Sequence, residues 1–138
     1  MKKIIAAICA TLLFTLTLCS CAPAVTFKTS GGQYDVVKIS TAEQAQNHTA
    51  KSGNTLLSVT LKTDAKGLDD AQNAFMPAGG EPCFVSDDAA QYPCIELTFT
   101  TDGTAVQTTL LFEVPSNLPE NKSLTLGGSS FTPVALKK

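Results

Sequence analysis

Strict alternation of apolar and polar residues on either side of a tight-turn dipeptide constrains the fold of this chain most. Residues 95–99 and 106–114 carry an apolar or threonine side chain at every second position, and Asp102-Gly103 lies between them. A period of two is that of a β-strand with one buried face. Asp-Gly favours the positive φ angles that a type I′ turn requires. The pattern therefore predicts a β-hairpin.

Further short stretches of the same kind occur along the chain, separated by Gly, Pro, Asn and Asp. They are residues 25–28, 34–40, 55–63, 123–126 and 130–136. Seven or eight such strands predict an all-β fold, an antiparallel sandwich. Residues 41–46 are the one modest helical candidate. Residues 64–80 are expected to be irregular, with Phe75 and Met76 as anchors in the core.

The beginning of the chain has the pattern of a secretory signal. Lys2 and Lys3 are followed by residues 4–18, which contain no charge. A basic end and an apolar run of about 15 residues are typical of a signal peptide, whereas a membrane-spanning helix needs roughly 20 apolar residues. Pro23 follows too soon to extend the run as a helix.

The end of this run, Leu18-Cys19-Ser20-Cys21, resembles the lipobox of bacterial lipoproteins. The resemblance implies that the bond between Ser20 and Cys21 is cut and that Cys21 is acylated. Residues 1–20 are then a signal peptide that is removed, residues 21–33 a lipidated tether, and residues 34–138 the folded domain. The alternative is an ordinary cleaved signal that releases a free secreted protein.

The composition of the mature chain excludes some partners. Removing residues 1–20 leaves 118 of the 138 residues. With Lys2 and Lys3 lost, 8 lysines face 12 acidic residues, so the net charge changes from −2 to −4. The sequence contains no arginine. Because nucleic-acid binding depends on basic patches, we expect no nucleic-acid partner.

Two of the five cysteines remain once the signal is cut and Cys21 is acylated. They are Cys83 and Cys94. Outside the cytoplasm disulfides persist, so we predict that these two form one. The alternative is a redox or metal-binding pair. A separation of 11 residues does not match a Cys-x-x-Cys motif, and no histidine lies nearby in the sequence.

Two strand sequences carry a second resemblance. Residues 55–62 and residues 110–115, which end in Phe-Glu-Val-Pro, resemble an immunoglobulin-like domain of unknown function. That domain is common in bacterial lipoproteins and related to immunoprotective extracellular antigens. The resemblance covers roughly residues 34–138. It implies an immunoglobulin-like β-sandwich and no agreed activity.

Candidate catalytic or binding residues are few. His48 is the one histidine, and it lies in a polar stretch without a recognisable nucleophile motif. Five acidic residues are expected in loops, without the spacing of a calcium site; they are Asp64, Asp69, Asp70, Asp87 and Asp88. Tyr92, Asp87 and Asp88, which lie between the two cysteines, are the candidate contact residues.

We therefore expect a lipoprotein anchored in the cell membrane or outer membrane, with its domain outside the cytoplasm. The domain is expected to be a non-enzymatic protein–protein interaction module of the cell envelope, without a cofactor. Its partners are the bilayer, through Cys21, and another envelope or extracellular protein. The alternative function is binding of a small ligand or calcium by the acidic loops.

Overall fold

The computed structural model describes residues 25–63, 68–103, 105–118 and 123–136, which form ten β-strands and one α-helix. The strands are β1 (Val25–Thr29), β2 (Gly32–Ala42), β3 (Gln44–Ala45), β4 (His48–Thr49), β5 (Asn54–Thr63), β6 (Phe84–Ser86), β7 (Gln91–Asp102), β8 (Ala105–Pro115), β9 (Leu124–Gly128) and β10 (Phe131–Leu136). The helix is α1 (Leu68–Phe75). The predicted all-β class is confirmed.

Eight of the strands form one sheet that closes on itself. The order round the barrel is β1, β10, β9, β6, β7, β8, β5 and β2, and β2 pairs with β1. All neighbouring pairs are antiparallel. The antiparallel arrangement is as predicted. The pairing does not show the two separate sheets of a sandwich, because each strand of the barrel is hydrogen-bonded to a neighbour on both sides.

The predicted hairpin is present as β7 and β8. Asp102 pairs with Ala105, and Gly103 has the positive φ of 60° that the turn requires. Every second residue of β8 from Val106 to Val114 is buried, as the alternation predicts. Ile95 differs, because a bulge between Cys94 and Glu96 turns it outwards and leaves it 37% exposed.

Residues 68–75, which were expected to be irregular, form helix α1. Ala71, Ala74 and Phe75 follow the i, i+3, i+4 spacing of one helix face, and all three are buried. Asp69 and Asp70 lie in the first turn, where the helix dipole favours negative charge. The prediction that Phe75 anchors this segment in the core is confirmed, since its side chain is fully buried.

The helix predicted over residues 41–46 is wrong. Thr41 and Ala42 end strand β2, where they pair with Leu57 and Leu56 of β5. The next residues form a two-stranded ribbon, in which β3 pairs with β4. Pairing with a neighbouring strand therefore overrides the weak helical propensity of this short segment.

The folded unit begins earlier than residue 34. Strand β1 pairs with both β2 and β10, and Phe27 in its centre is buried. Residues 25–33, which were assigned to a tether, therefore belong to the barrel. Of the predicted tether only residues 21–24 precede the first strand, and Cys21 and the signal peptide lie outside the described residues.

The two ends of the barrel differ. At the first, which we call the entry end, lie Ala42, Asn54, Pro115 and the turn of residues 87–90. At the second, the helix end, lie the turns at residues 30–31 and 129–130, Gly103 and helix α1. Helix α1 is placed there by its contact with the β1–β2 turn, where a Cβ on Gly31 would come within 2.8 Å of Asp70 Cβ.

Replacing Phe75 with alanine should destabilise the barrel by about 3–5 kcal/mol, because a large buried ring would leave a cavity. Urea unfolding of the wild type and of Phe75→Ala at neutral pH measures the effect. The exposed Asn73, on the same helix, provides the control variant Asn73→Ala. A Phe75→Ala protein that unfolds at the same urea concentration as Asn73→Ala would contradict the assigned role of this ring.

Candidate functional site

Two leucines on the outer face of the barrel are buried. Leu56 of β5 and Leu111 of β8 point away from the core that Leu57 and Leu110 enter, yet they are 1% and 0% exposed. The ribbon of β3 and β4 lies across these strands, since β3 contacts β5 and Gln46 reaches Thr98 of β7. The ribbon therefore covers an apolar patch that would otherwise face water.

Polar contacts at one side hold the ribbon to β7. His48 Nε2 lies 2.5 Å from Glu96 Oε2, and their side chains are 38% and 28% exposed. The side-chain amide of Gln46 forms hydrogen bonds with two residues of β7 in one orientation. Its nitrogen donates to Glu96 (3.1 Å to Oε1) and its oxygen accepts from Thr98 Oγ1 (3.0 Å). We call these residues, together with Glu113, the outer clasp.

Glu113 of β8 fixes the other side of the ribbon. Its Oε1 accepts hydrogen bonds from Asn54 Nδ2 at 2.8 Å and from the backbone N–H of Lys51 at 3.0 Å. These two bonds, in that order of importance, lower the pKa of Glu113 below its ordinary value of 4.5. Glu113 is therefore held in its charged form by the segment that leads from the ribbon into β5.

The outer clasp joins the ribbon to β7 and β8 through polar contacts. His48 is the histidine on which a hydrolase would depend, and it is engaged by Glu96 on a face open to water. No group of three metal-ligating side chains occurs among the described residues.

The two cysteines lie opposite each other. The register that pairs Phe84 with Pro93 continues to Cys83 and Cys94, and the N–H of Cys94 donates to Cys83 O at 2.7 Å. Both are buried, at 1% and 4% exposure, and are present as thiols. The hydrogen bond with the Cys94 thiol and burial raise the pKa of Cys83. The disulfide therefore stays a prediction.

Cys83 also connects the barrel to the helix. Its N–H donates to Phe75 O, the last residue of α1, at 2.7 Å. A disulfide at this position would fix the end of the helix and the beginning of β6 to β7. A pair so thoroughly buried is better placed for a structural bond than for exchange with other thiols.

The predicted contact residues lie together at the β6–β7 turn. The carboxylate of Asp87 accepts hydrogen bonds from the N–H groups of Ala89 and Ala90 at 3.0 and 2.7 Å, so it shapes the turn. Asp88 is exposed, whereas Tyr92 is half-buried and packs against the core. Of the three, Asp88 is the residue most available for contact with a partner.

The outer clasp was not predicted from the sequence, although a signal is present. Leu56-Leu57 and Leu110-Leu111 each interrupt the alternation with two adjacent leucines. Two apolar neighbours in a strand place one side chain on each face, so a second covering layer is needed on the outside. The doubled leucines thus indicated that something covers the barrel there.

Comparison with known proteins does not identify the chain. No protein-family model, curated protein or solved structure matches it. Both resemblances found in the sequence therefore stay predictions. Among the described residues no helix has the length and apolar character needed to cross a membrane.

Replacing Glu113 with glutamine should loosen the ribbon in a pH-dependent way. Because the folded-state pKa of Glu113 is lowered, its contribution to stability is full above about pH 4.5 and is lost as the pH falls through the folded value. The variant should therefore be less stable than the wild type at pH 7, and the difference should shrink on acidification. Urea unfolding across this pH range measures it.

The nearby Glu43→Gln variant removes the same charge from an exposed side chain and serves as control. A Glu113→Gln protein with the pH profile of Glu43→Gln would show that the two hydrogen bonds contribute nothing. Faster hydrogen exchange at the Lys51 amide is expected in Glu113→Gln alone.

Protein purified from an oxidising compartment should contain a Cys83–Cys94 disulfide. Reduction should add the mass of two hydrogen atoms and lower the free energy of unfolding by about 3 kcal/mol, the value expected for a loop of roughly a dozen residues. The double variant Cys83→Ala/Cys94→Ala should not respond to reductant. Two thiols that react in the unfolded, non-reduced protein would refute the disulfide.

Proposed function

We propose that this protein is a lipid-anchored, non-enzymatic domain of a bacterial cell envelope that contacts another envelope or extracellular protein. The observation that carries the proposal is the small number of residues between Cys21 and the first strand. Strand β1 begins at Val25, only four residues after Cys21. A folded unit that starts so soon after an acylated residue is held at the bilayer surface.

The anchor follows from the resemblance of residues 18–21 to a lipobox. A single acyl chain of myristoyl length binds a membrane only marginally, whereas two or more give stable attachment, at about 0.8 kcal/mol per buried methylene. The diacylglyceryl group that the resemblance implies at Cys21 supplies two. The short apolar run before it is then removed and does not itself anchor the mature protein.

Two surfaces at opposite ends of the barrel are candidates for contact with a protein partner. The turn with Asp87 and Asp88 is at the entry end, and the segment with helix α1 is at the helix end. Anchoring through Cys21 favours the helix end, which lies away from the start of β1. Its exposed side chains include Asp69, Asp70 and Glu81, so we propose a partner with a basic contact surface.

The immunoglobulin-like sandwich also stays a proposal. What supports it is a division of the barrel into a half with long strands, β2, β5, β8 and β7, and a half with short strands, β1, β10, β9 and β6. Two such halves face each other as the sheets of a sandwich do. The β1–β2 and β6–β7 pairings join the halves.

The variant Cys21→Ser tests the anchor. It should abolish acylation, and the protein should either move from the membrane fraction to the soluble fraction or remain uncut. Fractionation combined with intact mass of the membrane-bound form measures both. The matched control is Cys19→Ser, which keeps a small residue two places before Cys21 and should leave lipid and location unchanged. A correctly trimmed Cys21→Ser protein that still pellets with membranes would refute the proposal.

A further inference from the structure

The direction of strand β1 and the length of chain before it limit how the barrel can stand on a membrane. Val25 pairs with Val36 of β2. Beyond this pair β2 continues through residues 37–42, where its partner among the described residues is β5. Because β1 and β2 are antiparallel, the N-terminal end of β1 faces the end of the barrel towards which β2 runs. The lipidated residue therefore belongs at the entry end.

Two lengths decide how close that end comes to the lipid. Four residues separate Cys21 from Val25, and a fully extended chain spans at most about 3.6 Å per residue, so they are at most about 14 Å apart. The six residues of β2 beyond Val36 extend about 20 Å along the strand, at about 3.3 Å each. Because the strands of a closed barrel tilt by roughly 35–45° from its axis, these 20 Å of strand correspond to about 15 Å of height. The tether can therefore reach the tip of the entry end and little further.

We infer that the entry end of the barrel rests on the headgroups of the bilayer and that the helix end points away from it. This inference rests on the proposed function, because it assumes that Cys21 is acylated. The tether is too short to hold the barrel clear of the surface, and the opposite orientation would need it to span the whole barrel. The entry end is thereby a contact surface for lipid headgroups.

The side chains at the entry end fit headgroups and not hydrocarbon. The exposed residues there are small or polar and include Lys51, Ser52, Gly53, Asp88 and Ser116. Among the described residues the large exposed hydrophobic side chains are Val37 and Ile95. Val37 directly follows the residue that pairs with Val25, and Ile95 lies within β7, so neither is at the tip. The barrel is therefore expected to sit on the surface without inserting.

The test uses a pair of matched variants of the full, lipidated chain in vesicles of phosphatidylethanolamine and phosphatidylglycerol. Ser116→Cys lies at the entry end and Ser129→Cys at the helix end, and both serines are exposed in turns. Each is labelled with a fluorophore and quenched by lipids that carry a nitroxide on the headgroup. The label at residue 116 should be quenched several-fold more than the label at residue 129. Wild-type protein treated with the same reagent corrects for the native cysteines.

Equal quenching at the two positions, with the acyl groups on Cys21 confirmed by mass, would overturn the orientation and leave the anchor intact. Absence of acyl groups from Cys21 would overturn the anchor and the orientation together. A long Gly/Ser insertion between Ala24 and Val25 should abolish the difference between the labels. A difference that persists in this variant would refute the claim that the short tether sets the orientation.

Discussion

The contact between Phe75 and three other aromatic rings is the interaction on which the barrel depends. The ring centroids of Phe27, Tyr34 and Phe131 lie 6.3, 5.0 and 5.6 Å from that of Phe75. These rings belong to β1, β2 and β10, the strands by which the sheet closes. The side chain of Phe75 therefore packs against β1 and against both strands that flank it, β2 and β10. This contact stabilises the position of β1, which has only five residues.

Local pattern was enough to predict the hairpin and the inner face of the long strands, because the period of side chains in a strand is two whatever surrounds it. It was not enough to predict closure. Whether β1 pairs with β10 as well as β2 depends on residues more than 100 positions apart. Local pattern does not predict helix α1, because its eight residues are marginal alone and are stabilised by burial of Ala71, Ala74 and Phe75.

The candidate sites also differ in how far the sequence alone predicts them. The number of cysteines left in the mature chain predicts the pair Cys83 and Cys94, and the register of β6 and β7 places them opposite each other. The outer clasp depends on contacts between His48 and Glu96, 48 residues apart, and between Lys51 and Glu113, 62 residues apart. No local rule brings these residues together. The sequence can show only that part of the outer face must be covered, because an apolar residue such as Leu111 lies on that face of its strand.

The ribbon held by the outer clasp begins and ends at the entry end of the barrel, where we also propose that the tether lies. The ribbon connects the end of β2 to the start of β5, and both of these points lie at the entry end. If the covering segment opened, Leu56 and Leu111 would be exposed. With the proposed anchor, this apolar surface would lie close to the bilayer. The hydrogen bonds of Glu113 and the contact of His48 with Glu96 oppose that opening. In the orientation that we propose, they keep the surface next to the lipid polar, as contact with headgroups requires.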